Sequence, residues 1–190
     1  MIQIRKHPSH DDDQRYWESC RAGDHTAFSC LFEKYYQPLY CFAWRFIRDA
    51  QNAENIVQNV FVDLWIKRAE IEIMRSLRSY LFSMTRNQSL NYLKQQGKTE
   101  SLKVEKNLTE KTVDSPEDIY VTKEFHLEVW RAIENLPDQC RQVYLMKRYD
   151  HLKYDEIGQI LGISVNTVKT HLKRALAKLS EQLRPFIKDR

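Results

Sequence analysis

From Gln14 to about Gln96, apolar residues recur at steps of three and four, the period of an α-helix. Phe28, Leu31, Phe32 and Tyr35 begin one stripe, and Leu39, Phe42, Ala43 and Phe46 continue it after Pro38. The most regular stretch runs from about Gln51 to Lys67. There Ala53, Ile56, Val57, Val60, Phe61, Leu64 and Trp65 share one wide face. The other side carries Asn55, Gln58, Asn59, Val62 and Ile66, with Glu54 and Asp63 on its edges. Ser76 to Gln95 predicts a further helix, apolar on more than one side. No segment alternates with period two between turn residues, so no strand is predicted.

The second half follows the same logic with clearer punctuation. Gly97 to Asp114 has little apolar content and no period, and reads as a flexible linker. In Ser115-Pro116-Glu117-Asp118, Ser can cap, Pro suits the first helical position and Asp118 can complete a capping box. Leu136-Pro137-Asp138 breaks that helix and restarts it, and the next runs through Val143, Tyr144 and Lys147. Tyr154, Ile157, Ile160 and Leu161 then give a short helix one apolar face. Gly162 suits a tight turn and Ser164 a cap. In the final helix Val165, Val168, Leu172, Ala175, Leu176 and Leu179 fall on one side. Asn166, Thr170, Lys173 and Arg174 fall on the other, flanked by Thr167 and Lys169. The pattern is a helix-turn-helix, in which one side packs and the other reaches base edges and phosphates. The expected fold is all-α: a tail over residues 1–13, a helical domain over 14–96, a linker over 97–114 and a helix-turn-helix domain over 115–190.

Charge sharpens this picture. The 190-residue chain has a formal net charge of +4, but its distribution says more. Arg75 to Lys98 contains no Asp or Glu, Thr99 to Asp138 is dominated by acids, and the chain is basic again from Lys147. Two basic patches separated by an acidic stretch suit two nucleic-acid contacts joined by a spacer. Only 4 Gly are present and no Gly-rich loop, which disfavours a phosphate-cradling nucleotide site. Cys20, Cys30, Cys41 and Cys140 lack metal-ligand spacing, and His7, His10 and Asp11 to Asp13 read as polar tail rather than metal site. No cofactor, metal or catalytic residue is expected. With no apolar signal region and no run long enough to span a bilayer, the expected place is the reducing cytoplasm, without membrane insertion.

Two surfaces are candidates for chemistry outside the helix-turn-helix. Val62 and Ile66 among amides suggest a docking surface with an apolar centre and polar rim, against ordinary scatter of exposed apolar residues. Tyr80, Phe82 and Tyr92 lie among Arg78, Arg86 and Lys94, an arrangement that can stack unpaired bases while the cations hold the backbone. The alternative is a buried aromatic helix whose arginines reach solvent.

Ala53-Glu-Asn-Ile-Val-Gln-Asn-Val-Phe61, Leu64-Trp65, Tyr80-Leu81, Arg86-Asn87 and a helix-turn-helix after a linker together resemble an extracytoplasmic-function (ECF) sigma factor of the sigma-70 family. The resemblance spans about Arg21 to Leu183. The Tyr80-Leu-Phe and Leu136-Pro137 wording is similar to the branch abundant in Bacteroidetes. The resemblance implies a promoter-specificity subunit of RNA polymerase. It implies that the Ala53–Phe61 helix binds the clamp helices of the polymerase beta-prime subunit, with Asn55, Gln58 and Asn59 as contacts. Asn55 and Asn59 stand where the family usually has acids, so the contact would lean on Gln58 and the apolar centre of Val62 and Ile66. It implies that about Arg68 to Arg75, with Tyr80, Arg86, Asn87, Asn91 and Lys94, binds the promoter −10 element and opens the duplex; Arg78 joins them as a neighbouring cation. Tyr80 replaces a Trp often found there. It implies that Thr167, Lys169, Thr170, Lys173 and Arg174 read the −35 element, with Asn166 on the same face, and that an anti-sigma factor is a partner.

The helix-turn-helix alone would suit a LuxR-type regulator equally well, but a response regulator would begin with an alternating strand-helix receiver, and no such alternation exists here. An enzyme is the third class. Nucleophile candidates such as Cys41 have no nearby His in a recognisable arrangement, and the carboxylates fall on helix edges or in the linker.

Overall fold

Three short side chains open the helices of the first unit. Asp24 accepts the N–H of Thr26 at 2.7 Å and of Ala27 at 3.3 Å. Asp49 accepts that of Asn52 at 3.0 Å, and Ser76 that of Ser79 at 3.3 Å. Each satisfies a backbone donor that a helix start leaves free, worth ~1 kcal/mol. The helices they open are α2 (His25–Ile47), α3 (Ala50–Ile66) and α4 (Leu77–Gln95), preceded by α1 (His10–Arg21). The computed structural model describes residues 10–73, 76–97 and 127–188. Its contacts divide the chain into two units, residues 1–100 and 101–190. Among the described residues all regular structure is helical, and the strands of a receiver do not occur.

In the first unit α2 is the central helix and runs unbroken through Pro38. It packs against α3 and α4 and buries Leu31, Leu39 and Phe42, while α3 buries Val57, Phe61 and Leu64 and α4 buries Leu81 and Phe82. Each such side chain contributes about 2 kcal/mol on leaving water. The aromatic rings meet at angles: Phe42 and Phe82 edge-on at 5.0 Å, Phe32 and Phe61 tilted at 4.8 Å. The core side of α4 also carries hydroxyls. Thr85 donates to the Leu81 carbonyl at 2.9 Å and Ser89 to that of Thr85 at 2.8 Å, so both are buried yet satisfied within their own helix.

Two expectations change here. Residues 10–13, read as tail, form the first turn of α1. Asp13 is buried and accepts from the Tyr35 hydroxyl at 2.6 Å and from the Lys34 ammonium. Its carboxylate is held inside by partners 21 and 22 residues away, which the local pattern does not reveal. Phe82, counted among the base-stacking aromatics, is fully buried against Phe42 and offers no face to a ligand. Asp13→Ala is expected to cost about 2 kcal/mol, because the buried phenol loses a charged acceptor. Chemical denaturation of the full chain checks this; an unchanged midpoint would show that α1 is not anchored through Asp13.

The second unit begins, within the described residues, with a helix over 127–134, here α5. The linker reading over 97–114, apart from Gly97, and the Ser115–Asp118 helix start lie outside the described residues. The break at Leu136–Pro137 is present, and α6 (Asp138–Arg148) follows it. Arg141 secures the break from below. Its buried guanidinium donates to the Glu134 carbonyl at 2.6 Å and the Leu136 carbonyl at 3.5 Å, and pairs with Asp138. Then come α7 (Tyr154–Leu161) and α8 (Val165–Lys188).

Turn chemistry places α7 against α8. Glu156, only 3% exposed, accepts the Lys153 N–H at 2.8 Å and closes the start of α7. Gly162 ends α7 at φ 68°, the left-handed region where a side chain is strained. Ser164 accepts the Thr167 N–H at 3.1 Å and starts α8. Gly158 has a different reason to be glycine: a Cβ there would lie 2.8 Å from the Ile163 carbonyl oxygen. The core beneath joins Ile133 and Leu136 to Cys140, Ala175 and Leu179. Val165 and Leu176, assigned to the packed side of α8, are instead 39% and 51% exposed. Among the described side chains of α8, those buried are Val168, Ala175 and Leu179, a narrower stripe than the sequence pattern suggested.

Candidate functional site

Three surfaces emerge from these elements. The first is the outer face of α3. Its inner face is closed in the core, which turns Asn55, Gln58, Asn59, Val62 and Ile66 all to solvent. Val62 is 54% and Ile66 67% exposed, large values for β-branched apolar side chains on a well-anchored helix. The flanking acids are engaged. Glu54 accepts from the Tyr36 hydroxyl at 3.3 Å and from Gln58 at 3.2 Å. Asp63 accepts from Lys67 and, across the helix pair, from Gln88 of α4, each at 3.1 Å. The surface therefore has an apolar centre, neutral amides around it and tethered charge at its margin.

The second is the outer side of α4 with the stretch leading into it. Asn87, Asn91 and Lys94 are exposed, while Arg78, Tyr80 and Arg86 are half-buried. Burial pushes the Tyr80 phenol up; Lys67 pulls it down and Asp63 adds to the rise. Burial lowers Arg86, whose Nε is enclosed without a hydrogen-bond partner among the described residues. Arg78 reaches over the edge of the core, with Cζ 5.8 Å from the Phe82 ring centre. Tyr80 and Tyr92 thus remain as partly open aromatic surface, and Phe82 does not. In the Arg68 to Arg75 stretch, Ile71 is buried and Arg68 turns back onto Trp65, while Arg75 lies outside the described residues.

The third is the outer side of α8. Asn166, Lys169, Thr170, Lys173 and Arg174 are exposed and Thr167 is half-buried. Two hydroxyls are already committed: Thr167 shares a 2.8 Å contact with Ser164, and Thr170 donates to the Asn166 carbonyl at 2.9 Å. Lys169, Lys173, Arg174 and Lys178 share this helix with no acid before Glu181. Such an uncompensated cationic row is what a phosphate backbone attracts. The residues that shape the turns of this unit, Gly158 between α7 and α8, the buried Glu156 at the start of α7 and Arg141 at the break before α6, were not singled out from the pattern. The only signal was spacing: Glu156 stands three residues after Lys153, the cap position of α7.

Comparison with known proteins gives these surfaces a context. Residues 31–99 match the family model for sigma-70 region 2, and residues 126–179 that for sigma-70 region 4. The chain is built from sigma-70 regions 2 and 4. Between them the two matches take in well over half of it. The ECF RNA polymerase sigma factor SigW of Bacillus subtilis is 29% identical over 174 residues, covering 86% of this chain and 92% of that protein. The RNA polymerase sigma-H factor of Pseudomonas aeruginosa is 23% identical over 188 residues, covering 94% and 97%. The ECF RNA polymerase sigma-E factor of Escherichia coli is 25% identical over 185 residues, covering 93% and 96%. In fold, the chain is similar to CnrH, solved in complex with the cytosolic domain of CnrY, with a TM-score of 0.65 at 20% identity over 92% of this chain and 98% of that one. It is also similar to the sigma factor RpoE of Bartonella quintana, solved with the anti-sigma factor NepR, with a TM-score of 0.62 at 20% identity over 83% and 96%. Both sigma regions and full-length sigma relatives make this a sigma factor, which directs promoter recognition and transcription initiation. Region 2 holds the α3 and α4 surfaces, and region 4 holds the helix-turn-helix. No helix among the described residues is long and apolar enough to cross a membrane.

Proposed function

We propose that this sigma factor divides its work among the three surfaces. The outer face of α3, through Asn55, Gln58, Asn59, Val62 and Ile66, docks on the beta-prime clamp helices of core RNA polymerase. The α4 side, through Arg78, Tyr80, Arg86, Asn87, Asn91 and Lys94, engages the −10 element and holds the opened strand. The α8 side, through Asn166, Thr167, Lys169, Thr170, Lys173 and Arg174, reads the −35 duplex. The domain limits that go with this are a region 2 domain to residue 96 and a region 4 domain from residue 115. The observation that carries the reading is the pairing, in one chain, of a recognition helix with a cationic row and no acid before Glu181 with a helix that exposes Val62 and Ile66 among amides. The protein acts by binding and positioning in the bacterial cytoplasm, with no catalytic group of its own. An anti-sigma factor is a fitting partner, since CnrH and the Bartonella RpoE were both solved with protein partners. The Tyr80-Leu-Phe and Leu136-Pro137 wording supports the Bacteroidetes-type branch.

In vitro transcription with bacterial core polymerase on a random promoter library tests this. The expected result is initiation only with the sigma factor present, on templates sharing two separated elements. Templates initiated without any shared element would overturn it.

Within region 4, Lys173→Ala is expected to weaken duplex binding on all sequences alike and to reduce the salt slope by roughly one. Arg174→Ala is expected to lose ~1–3 kcal/mol and, in addition, preference at one base pair. Titrations at several salt concentrations separate the two; unchanged binding in both variants would put this face away from DNA.

A further inference from the structure

Two arginines hold the start of the stretch between α3 and α4, from different sides. Arg68 lays its guanidinium on the Trp65 ring, Cζ 4.1 Å from the centre, and its Nη1 donates to the Trp65 carbonyl at 2.6 Å. Trp65 is itself wedged against α2, with Phe28 at 5.0 Å and His25 at 4.5 Å between ring centres. Arg21, the last residue of α1, donates to the Ala69 carbonyl at 3.4 Å across a separation of 48 residues. The backbone then turns once: the N–H groups of Glu70 and Ile71 both bond the Lys67 carbonyl, at 2.9 and 3.1 Å. Ile71 anchors the end of that turn, 8% exposed, before the chain opens to solvent at Glu72.

An arginine that reads DNA keeps its donor fork outward. Arg68 does the opposite. Its Nε is buried without a hydrogen-bond partner among the described residues, an arrangement that costs stability. The stack on Trp65 offsets part of that cost. What sets Arg68 apart is that its plane lies on the Trp65 ring and its Nη1 on the Trp65 carbonyl, so the guanidinium is committed to the protein's own geometry.

We propose that Arg68 is a positioning residue. It clamps residues 67–71 onto Trp65, with Arg21 as a brace, and so sets how the stretch before α4 is presented to the −10 element, without touching DNA itself. The clamp governs discrimination among −10 sequences, not attachment to polymerase. This rests on the −10 reading given above.

The test uses holoenzyme reconstituted from core polymerase and full-length sigma factor, with two readouts. One is open-complex formation on a preferred −10 sequence and on its single-base variants. The other is amide hydrogen exchange over residues 67–73. Arg68→Ala is expected to exchange at least tenfold faster at Glu70 and Ile71 and to lose about tenfold of its −10 discrimination, with core affinity within twofold of wild type. Arg21→Ala should move both in the same direction by about threefold. Arg68→Lys keeps the charge but not the planar stack, and should remain impaired. Full rescue by lysine, or an equal fall on every −10 sequence with a reduced salt slope, means direct charge contact with DNA and overturns the proposal. Unchanged exchange in Arg68→Ala overturns the clamp. Faster exchange with unchanged discrimination overturns its role in specificity. Failure of the underlying reading looks different: the wild-type holoenzyme itself would then show no preference among −10 sequences.

Discussion

Val62→Lys should lower the affinity of this sigma factor for core RNA polymerase by about thirtyfold, roughly 2 kcal/mol, while its melting temperature stays unchanged. The first half follows from position. Val62 lies at the centre of the exposed row on α3, 54% exposed, with Ile66 one turn on and Gln58 and Asn59 one turn back. A charge placed in the centre of an apolar contact must be desolvated without a partner, which costs more than the lost methyl groups. The second half follows from the other face of the same helix. Val57, Val60, Phe61 and Leu64 hold α3 in place and do not touch position 62's outward side, and lysine forms helix better than valine. Ile66→Lys should act in the same direction. Equilibrium binding to core polymerase, with a thermal melt of the free protein, checks both halves. Wild-type affinity in both variants would sink the docking assignment; a collapsed melting temperature would mean that position 62 is structural.

Gly158→Ala should destabilise region 4 by ~1–3 kcal/mol, even though alanine is the better helix former by about 1 kcal/mol. The new methyl would sit 2.8 Å from the Ile163 carbonyl oxygen. That oxygen belongs to backbone, not to a side chain that can swing aside. The Ile163 N–H is bonded to the Gly158 carbonyl at 3.0 Å, Gly162 is in the left-handed region, and Ser164 caps α8. Relief therefore requires the whole turn to move and α8 to shift on α7. Binding to the −35 duplex should fall with it, because the cationic row is presented by that turn. Denaturation of the full chain followed on region 4, and a duplex titration, give the answer. Stability equal to or above wild type would show that the turn yields cheaply and that glycine is not required there.

The local pattern was sufficient for much of this protein, since a helix repeats every ~3.6 residues and its faces can be counted along the chain. On α3 that count separated a buried side from Asn55, Gln58, Asn59, Val62 and Ile66, and all five are exposed. Ser76 as the start of α4, the break at Leu136–Pro137, the turn at Gly162 and the cap at Ser164 were equally legible. Each is chemistry acting within four or five residues.

What the pattern did not decide depends on neighbours brought close by folding. On α4, aromatic and hydroxyl residues surround the helix, and only the approach of α2 determines that Phe82 goes inside while Tyr80 and Tyr92 stay half open. On α8, only the contacts with α6 and α7 narrow the packed stripe and leave Val165 and Leu176 outside. Asp13 looks like tail until Lys34 and Tyr35 meet it, and nothing in the local pattern shows that Arg68 folds back onto Trp65. Sequence alone determined which residues share a helix face. The tertiary structure decided which face each helix turns inward and which charges it keeps there, because burial and charge pairing depend on distances between residues far apart in the chain.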